Sequence, residues 1–382
     1  MGLQAVRRYL LGSTASEFGN SAMSLVAGIW VKTLTGSSQA AAVVSILIYL
    51  PSLFAPLAGV LVDRVDRRLV LVWTNIAGAA VVAALVLVHG RQWVGLIYAV
   101  MLVYGATAVV IDPAETALFS QLVHPQDRAA VNGLRLSLSE GCKLLAPLVG
   151  AGLFTVLGGG KVALLDSASF LVAAGITWSI RLPSHRTDTA AAPDTGFWAP
   201  VGAGVVHIRR TPALRRLALA GAAAMFISGL SVAAQYALVD SLHRRPAFLG
   251  VLTSALGAGS IAAGLLSGPI IRRVHEVGLV RAGLLAGVVG NALLVTDRLP
   301  LVVTAYVVLG FFLPWVVIGV ITIGQRLTED HTQGRVSAAL TLLLFGPQPV
   351  AQVLGVGLLH GPGKVAFQQV RVGGAGVGVR RA

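Results

Sequence analysis

Acidic side chains are scarce in this 382-residue chain, fifteen Asp and Glu in all, so each one inside an apolar run invites a chemical explanation. The first such run carries Ser13, Glu17, Asn20, Ser21, Ser24 and Gly28. Steps of three and four place them on one helical face. A polar stripe turned to lipid would be costly, so this face is expected to line a watery cavity. Close packing by small residues would explain the Ser and Gly positions but not Glu17. Further along, Glu140 and Lys143 stand at i,i+3 and can neutralise each other as a structural intramembrane pair. Asp112 and Glu115 lie near the end of another run with arginines nearby, and Asp166 reads as an interfacial or packing residue. A carboxylate that lines a pathway and changes its charge can carry a proton. Glu17 meets that need best, because no cation lies near it on its own helix, whereas Glu140 has Lys143 one turn away. Trp30, Tyr98, Tyr104, Phe311, Phe312 and Trp315 could present aromatic walls to a bulky amphipathic molecule, with Tyr98 and Trp315 the chosen cavity candidates.

Other chemistries find no support. Gly160-Lys161 and Gly363-Lys364 lack the remaining positions of a phosphate-binding loop. The eight histidines show no metal-ligand spacing, and no nucleophile–base set is visible, so no metal, cofactor or enzymatic activity is expected. Gly257-Ala-Gly259 begins like a dinucleotide loop but sits inside an apolar run, where small-residue helix packing explains it better. The single Cys142 excludes an intramolecular disulfide.

The elements that must position these residues are membrane helices. Hydrophobic residues make up 55% and charged ones 12%, and mean hydropathy is +0.81. So few charges could not cover a water-exposed surface. The net charge of +14 then reflects basic cytoplasmic loops rather than a nucleic-acid partner. Eleven runs reach spanning length, near 11–33, 40–62, 69–89, 93–118, 132–157, 161–180, 215–239, 247–271, 277–296, 299–323 and 335–359. One long polar connector, 181–214, separates an N-terminal six-helix bundle (1–180) from a C-terminal five-helix bundle (215–359). Lys and Arg are roughly threefold more frequent on the side that holds the N-terminus, which is therefore expected to be cytoplasmic. The halves repeat at an offset of 205 residues: Gly59-Val60-Leu61 falls on Gly264-Leu265-Leu266, and Arg67-Arg68 on Arg272-Arg273. Parallel repeats of this kind suit a site that opens alternately to each side.

The loop after the second run reads Gly59-Val-Leu61-Val-Asp63-Arg64-Val-Asp66-Arg67-Arg68 and resembles the signature loop of the major facilitator superfamily. Leu34-Thr35-Gly36-Ser37, Pro113-Ala114, Asn132-Gly133-Leu134 and Gly334-Arg335-Val336-Ser337 resemble the branch with bacterial enterobactin and macrolide exporters. The resemblance reaches about residue 359. It implies an all-α two-bundle fold and secondary active transport by alternating access. The expected protein sits in the bacterial plasma membrane as a monomer and exports a drug-like or siderophore-like molecule, with protons as a candidate coupling ion. Import of a small solute, or a non-transporting or truncated relative, are the alternatives.

Three departures stand out. Gly268 replaces Asp63 in the second copy, the fourth run lacks the mid-helix arginine of many proton antiporters, and Ala146-Pro147-Leu-Val-Gly150-Ala151 alters the antiporter pattern. Physically, Asp63 is placed to meet a helix N-terminus at the start of run eleven, near Gly334. Arg64, Arg67 and Arg68 can bind lipid phosphate or pair with Asp112 and Glu115, closing a cytoplasmic gate. The repeat places a partner of the sixth run at 366–385. Residues 360–382 are too rich in Gly and Arg to span, so a missing twelfth helix and a disordered tail are expected.

Overall fold

The structure is a computed structural model that describes residues 3–54, 66–123, 128–180, 198–296, 298–328 and 330–358. The chain divides into two compact units, Met1–Asp194 and Thr195–Ala382. Helices build both, and the described residues contain no strand.

The first unit runs through α1 (Leu3–Thr35), α2 (Ser38–Tyr49), α3 (Arg67–Ala83, extended by a 3-10 turn to Leu87), α4 (Val94–Leu122), α5 (Arg128–Leu157) and α6 (Gly159–Ser179). Local chemistry marks the ends of these elements. Gly36 closes α1 at φ +70°, its N–H donating to the Lys32 carbonyl at 2.8 Å. Lys32 Nζ donates in turn to the Gly36 carbonyl at 3.0 Å and Ser38 Oγ at 2.8 Å, a cation on the negative end of the helix. Ser37 then caps α2 through the Ala40 N–H. Asp66 caps α3 by accepting from the Arg68 and Leu69 N–H groups.

α1 is the inner helix of this unit. It packs on α5 and α6, and Met23, Val26, Ala27 and Val31 are fully buried. At 33 residues it is about 50 Å long. Its polar stripe keeps it off the set of helices apolar enough to cross a membrane, of which the described residues hold eight. α1, α2 and the double helix described next account for the difference from the eleven expected spans.

The second unit holds α7 (Trp198–Arg210), α8 (Pro212–Ser241), α9 (Leu249–Leu293), α10 (Leu299–Arg326), α11 (Asp330–Phe345) and α12 (Pro347–Leu358). Three features differ from expectation. Residues 198–210 of the expected connector form α7, whose Ile208 is buried and whose Gly204 lies against the Arg335 carbonyl of α11. Spans eight and nine are two arms of α9, broken at His275, where φ is 57°. Both arms meet α10 at the same level: Gly259 against Gly310, and Gly287 against the Phe312 ring. The chain must therefore fold back at His275. The eleventh span is interrupted at Gly346, because Pro347 has no N–H to continue the ladder. Its helix starts at Asp330, one turn before Gly334.

Helix bounds follow the 205-residue repeat. α10 is α4 shifted along the chain, the second arm of α9 is α3, and α8 is α1. Exposed apolar side chains such as Val156, Leu265 and Trp178 suit a lipid-facing surface. The counterpart of α6 would fall in residues 359–382, outside the described residues, as does the tail expected there.

Candidate functional site

A cavity of about 340 Å³ opens in the first unit between α1, α4 and α5. Ser13, Ser16, Glu17 and Asn20 line it from α1, one face by their spacing. α4 contributes Ile111, Asp112 and Glu115, on either side of Pro113, which removes one backbone donor from the helix. α5 contributes Arg135 and Ser139, one turn apart. Among the described residues, three carboxylates thus share the cavity with one guanidinium.

Arg135 lies 3.7 Å from Glu115 Oε2, and its guanidinium sits 5.8 Å from the Phe119 ring centre. Arg135, on α5, thus supplies a cation to Glu115. The Ser139 hydroxyl donates to Glu17. Asn20 extends the polar surface inward. Its Oδ1 is 2.8 Å from the Tyr104 hydroxyl, which is itself 3.1 Å from Oδ2 of the buried Asp166.

The structure thus brings together Glu17, Asn20, Asp112 and Glu115 from the residues singled out in the sequence. Ser24, Tyr98 and Trp315 do not reach this cavity. Ser24 donates to the Asn20 carbonyl at 2.7 Å. Tyr98 donates to the Ala40 carbonyl at 2.9 Å and ties α4 to α2. Trp315, in the second unit, donates through Nε1 to the Ala263 carbonyl at 2.9 Å and meets Phe311 edge-on at 5.0 Å. Glu140 and Lys143 pair at 2.8 Å on α5. Arg67 opens α3, and the Arg68 guanidinium lies 5.1 Å over Trp178 and donates to its carbonyl oxygen at the end of α6. Gly59, Asp63 and Arg64 lie outside the described residues.

Sequence reasoning missed Arg135, Ser139, Ser16 and the Tyr104–Asp166 contact. Arg135 stands four residues before Ser139 on the same helix face, a spacing that could have found the pair. Nothing in the spacing of Tyr104 and Asp166, on different helices, could have joined them.

A model of the Major Facilitator Superfamily matches residues 9–350. The chain belongs to the major facilitator superfamily. It is a multi-pass membrane transporter of small molecules. The macrolide efflux protein A of Streptococcus pyogenes is 24% identical over 294 residues, 76% of this chain and 72% of that protein. A putative bacilysin exporter of Bacillus subtilis is 25% identical over 176 residues, covering 46% of this chain and 44% of that one. Among solved structures, the nucleoside transporter NupG aligns with a TM-score of 0.77 at 13% identity, covering 99% of this chain and 97% of that one. A bacterial homologue of the iron transporter ferroportin, in its inward-facing state, aligns at 0.70 and 15% identity, with 97% of each chain covered. At such identities these two likenesses show the fold.

Proposed function

We propose that this transporter exports a bulky, amphipathic, amine-bearing organic molecule across the bacterial plasma membrane, with protons as the coupling ion. The observation that carries the reading is the charge of the α1–α4–α5 cavity among the described residues: Glu17, Asp112 and Glu115 against Arg135. An ammonium group balances that surplus in a place where an unpaired charge is costly. A siderophore-like acid would add negative charge to it, so the cationic class is favoured. The relatives support the same direction, since macrolide efflux protein A is matched over 72% of its length.

In this reading the N-terminus is cytoplasmic, the two bundles (1–180 and 215–359) alternate about their pseudo-repeat, and the protein works as a monomer. Asp63, with Gly59, Arg64, Arg67 and Arg68, forms the cytoplasmic gate, and Asp63→Asn stops transport at unchanged membrane abundance. The decisive experiment compares cells with and without the gene in a susceptibility and efflux panel of macrolides and other organic amines. Accumulation of erythromycin in inside-out vesicles, driven by an imposed pH gradient, supports export. Accumulation in right-side-out vesicles instead marks an importer.

A further inference from the structure

Asp166 is 3% exposed on α6, inside a segment long and apolar enough to cross a membrane. Among the described residues no Lys or Arg forms an ion pair with it. The approach to α1 is close: a Cβ on Gly19 would stand 2.4 Å from Oδ1 of Asp166, so only glycine at that position admits the carboxyl. Its other oxygen, Oδ2, faces the Tyr104 hydroxyl at 3.1 Å, and that hydroxyl faces Asn20 Oδ1 at 2.8 Å. The Ser169 hydroxyl is occupied by the Asp166 carbonyl at 2.8 Å, with Oδ1 further off at 3.4 Å.

Proton counting makes this chain informative. A tyrosine hydroxyl has one hydrogen, and here it lies between two acceptors. Both short contacts are satisfied together only when Asp166 carries a proton: its O–H donates to Tyr104 Oη, and the Tyr104 hydrogen goes to Asn20 Oδ1. Once that proton leaves, Tyr104 turns its hydrogen to the carboxylate. Asn20 can then bond the phenolic oxygen only through Nδ2, so its amide must rotate. Asn20 lines the cavity, so rotation of its amide exchanges which end Tyr104 leaves free there.

We propose that Asp166 is a proton-binding site of this transporter, and that Tyr104 relays its occupancy to Asn20. A proton on Asp166 makes Asn20 a donor toward the cavity; its departure makes Asn20 an acceptor. No proton leaves Tyr104, whose hydroxyl only rotates. An ammonium-bearing cargo binds an acceptor and is refused by a donor. Proton and cation therefore exclude one another without sharing a site, which is the linkage an exchanger requires. This meaning for transport rests on the proposed export of organic amines, whereas the relay does not.

The elements packed around Asp166 carry further titratable or charged groups. These are Arg7, Arg8, Tyr9, Glu17 and Lys32 on α1, Arg67 and Arg68 on α3, Tyr98, Tyr104, Asp112 and Glu115 on α4, Arg128, Arg135, Glu140, Cys142 and Lys143 on α5, and Lys161 on α6 itself. The experiment must therefore read the relay directly. The chain has four asparagines, so protein labelled with ¹⁵N-asparagine shows four side-chain amides, and Asn20→Ala assigns one of them. In purified full-length protein without substrate, the Asn20 amide is expected to shift as the pH is raised. Its midpoint should match that of the protonated-carboxyl infrared band that Asp166→Asn removes.

In Tyr104→Phe the infrared band should still titrate while the Asn20 shift is lost. In Asp166→Asn, whose amide donates as the acid does, Asn20 should stay at its low-pH position. An Asn20 amide that is stationary in the unaltered protein overturns the proposal, as does one that follows pH equally well in Tyr104→Phe. Should Asp166→Asn fail to fold, the Tyr104→Phe comparison decides alone. Erythromycin binding measured on the same samples separates the two readings. A moving amide without erythromycin binding retains the relay and removes the proposed cargo. Binding that weakens on acidification in the unaltered protein, but not in Tyr104→Phe, supports both.

Discussion

The two units repeat one plan, yet equivalent positions hold opposite chemistry. Moved along by the 205-residue offset, Glu17 and Asn20 become Ala222 and Met225, Asp112 and Glu115 become Val317 and Val320, and Arg135 and Ser139 become Leu340 and Leu344. Where the first unit has a polar cavity, the second has core. Val320, Leu340 and Leu344 are at most 3% exposed and belong to one buried cluster, and the Leu344 side chain fills the space beside Gly221. Close approach is managed differently too. α9 and α10 meet backbone to backbone at Gly259 and Gly310, whereas α1 and α6 meet across Gly19 and a carboxyl. One scaffold thus carries a polar cavity in one copy and apolar packing in the other.

Breaking the polar side should have the largest effect. Glu17→Gln is expected to reduce pH-driven export by at least about tenfold, ~1.4 kcal/mol of transition-state stabilisation, at matched membrane abundance. Transport with the full pH response retained would remove Glu17 from the coupling role. On the packed side, Leu344→Ala should cost about 2–5 kcal/mol of stability by opening a hole in the second unit's cluster. The check is the midpoint of thermal unfolding in detergent, with erythromycin affinity of the surviving folded fraction unchanged.

Arg135→Leu sharpens the comparison, since it installs the second unit's residue in the first. It leaves Glu115 without its cation and should lower stability by about 1–2 kcal/mol, less than a fully buried pair because both partners are partly exposed. Adding Glu115→Gln should recover most of that loss, and a double-mutant cycle measures the coupling. Smallest of all, Glu140→Gln should cost a few tenths of a kcal/mol, seen as slightly reduced abundance with transport per molecule unchanged.

Much of the scaffold was legible because the bilayer imposes its length on every span and the repeat imposes it twice. α4 and α10 fall where their apolar runs lie, and Gly36 marks its turn openly. The errors fall where local backbone chemistry decides. Pro347 splits a run that hydropathy joins, and His275 turns the chain sharply enough to carry no loop of its own. Residues 198–210 look like linker by composition but fold because α11 receives them. The site was half legible. Glu17 and Asn20 announce themselves by spacing on one helix, and Asp112 and Glu115 by proximity to a helix end. Asp166 is invisible because its meaning comes from a tyrosine 62 residues away. Tyr98 and Trp315 are plausible cavity walls by type, yet each has its polar atom tied to a neighbouring backbone carbonyl.

The placement of α1 against α5 and α6 also sets an order of assembly. α9 and α10 are consecutive in the chain and can close on each other as soon as both leave the ribosome and enter the bilayer, because their contacts are local. α1 finds α2 early, but its larger contacts are with α5 and α6. Its polar partners come later, Tyr104 84 residues beyond Asn20 and Ser139 122 residues beyond Glu17, so Glu17 and Asn20 enter the membrane before the side chains that satisfy them have been translated. For that interval the helix with the most functional polarity is also the one most exposed to quality control. Slowed translation between α1 and α5 should reduce yield of the first unit far more than the same delay placed between α9 and α10.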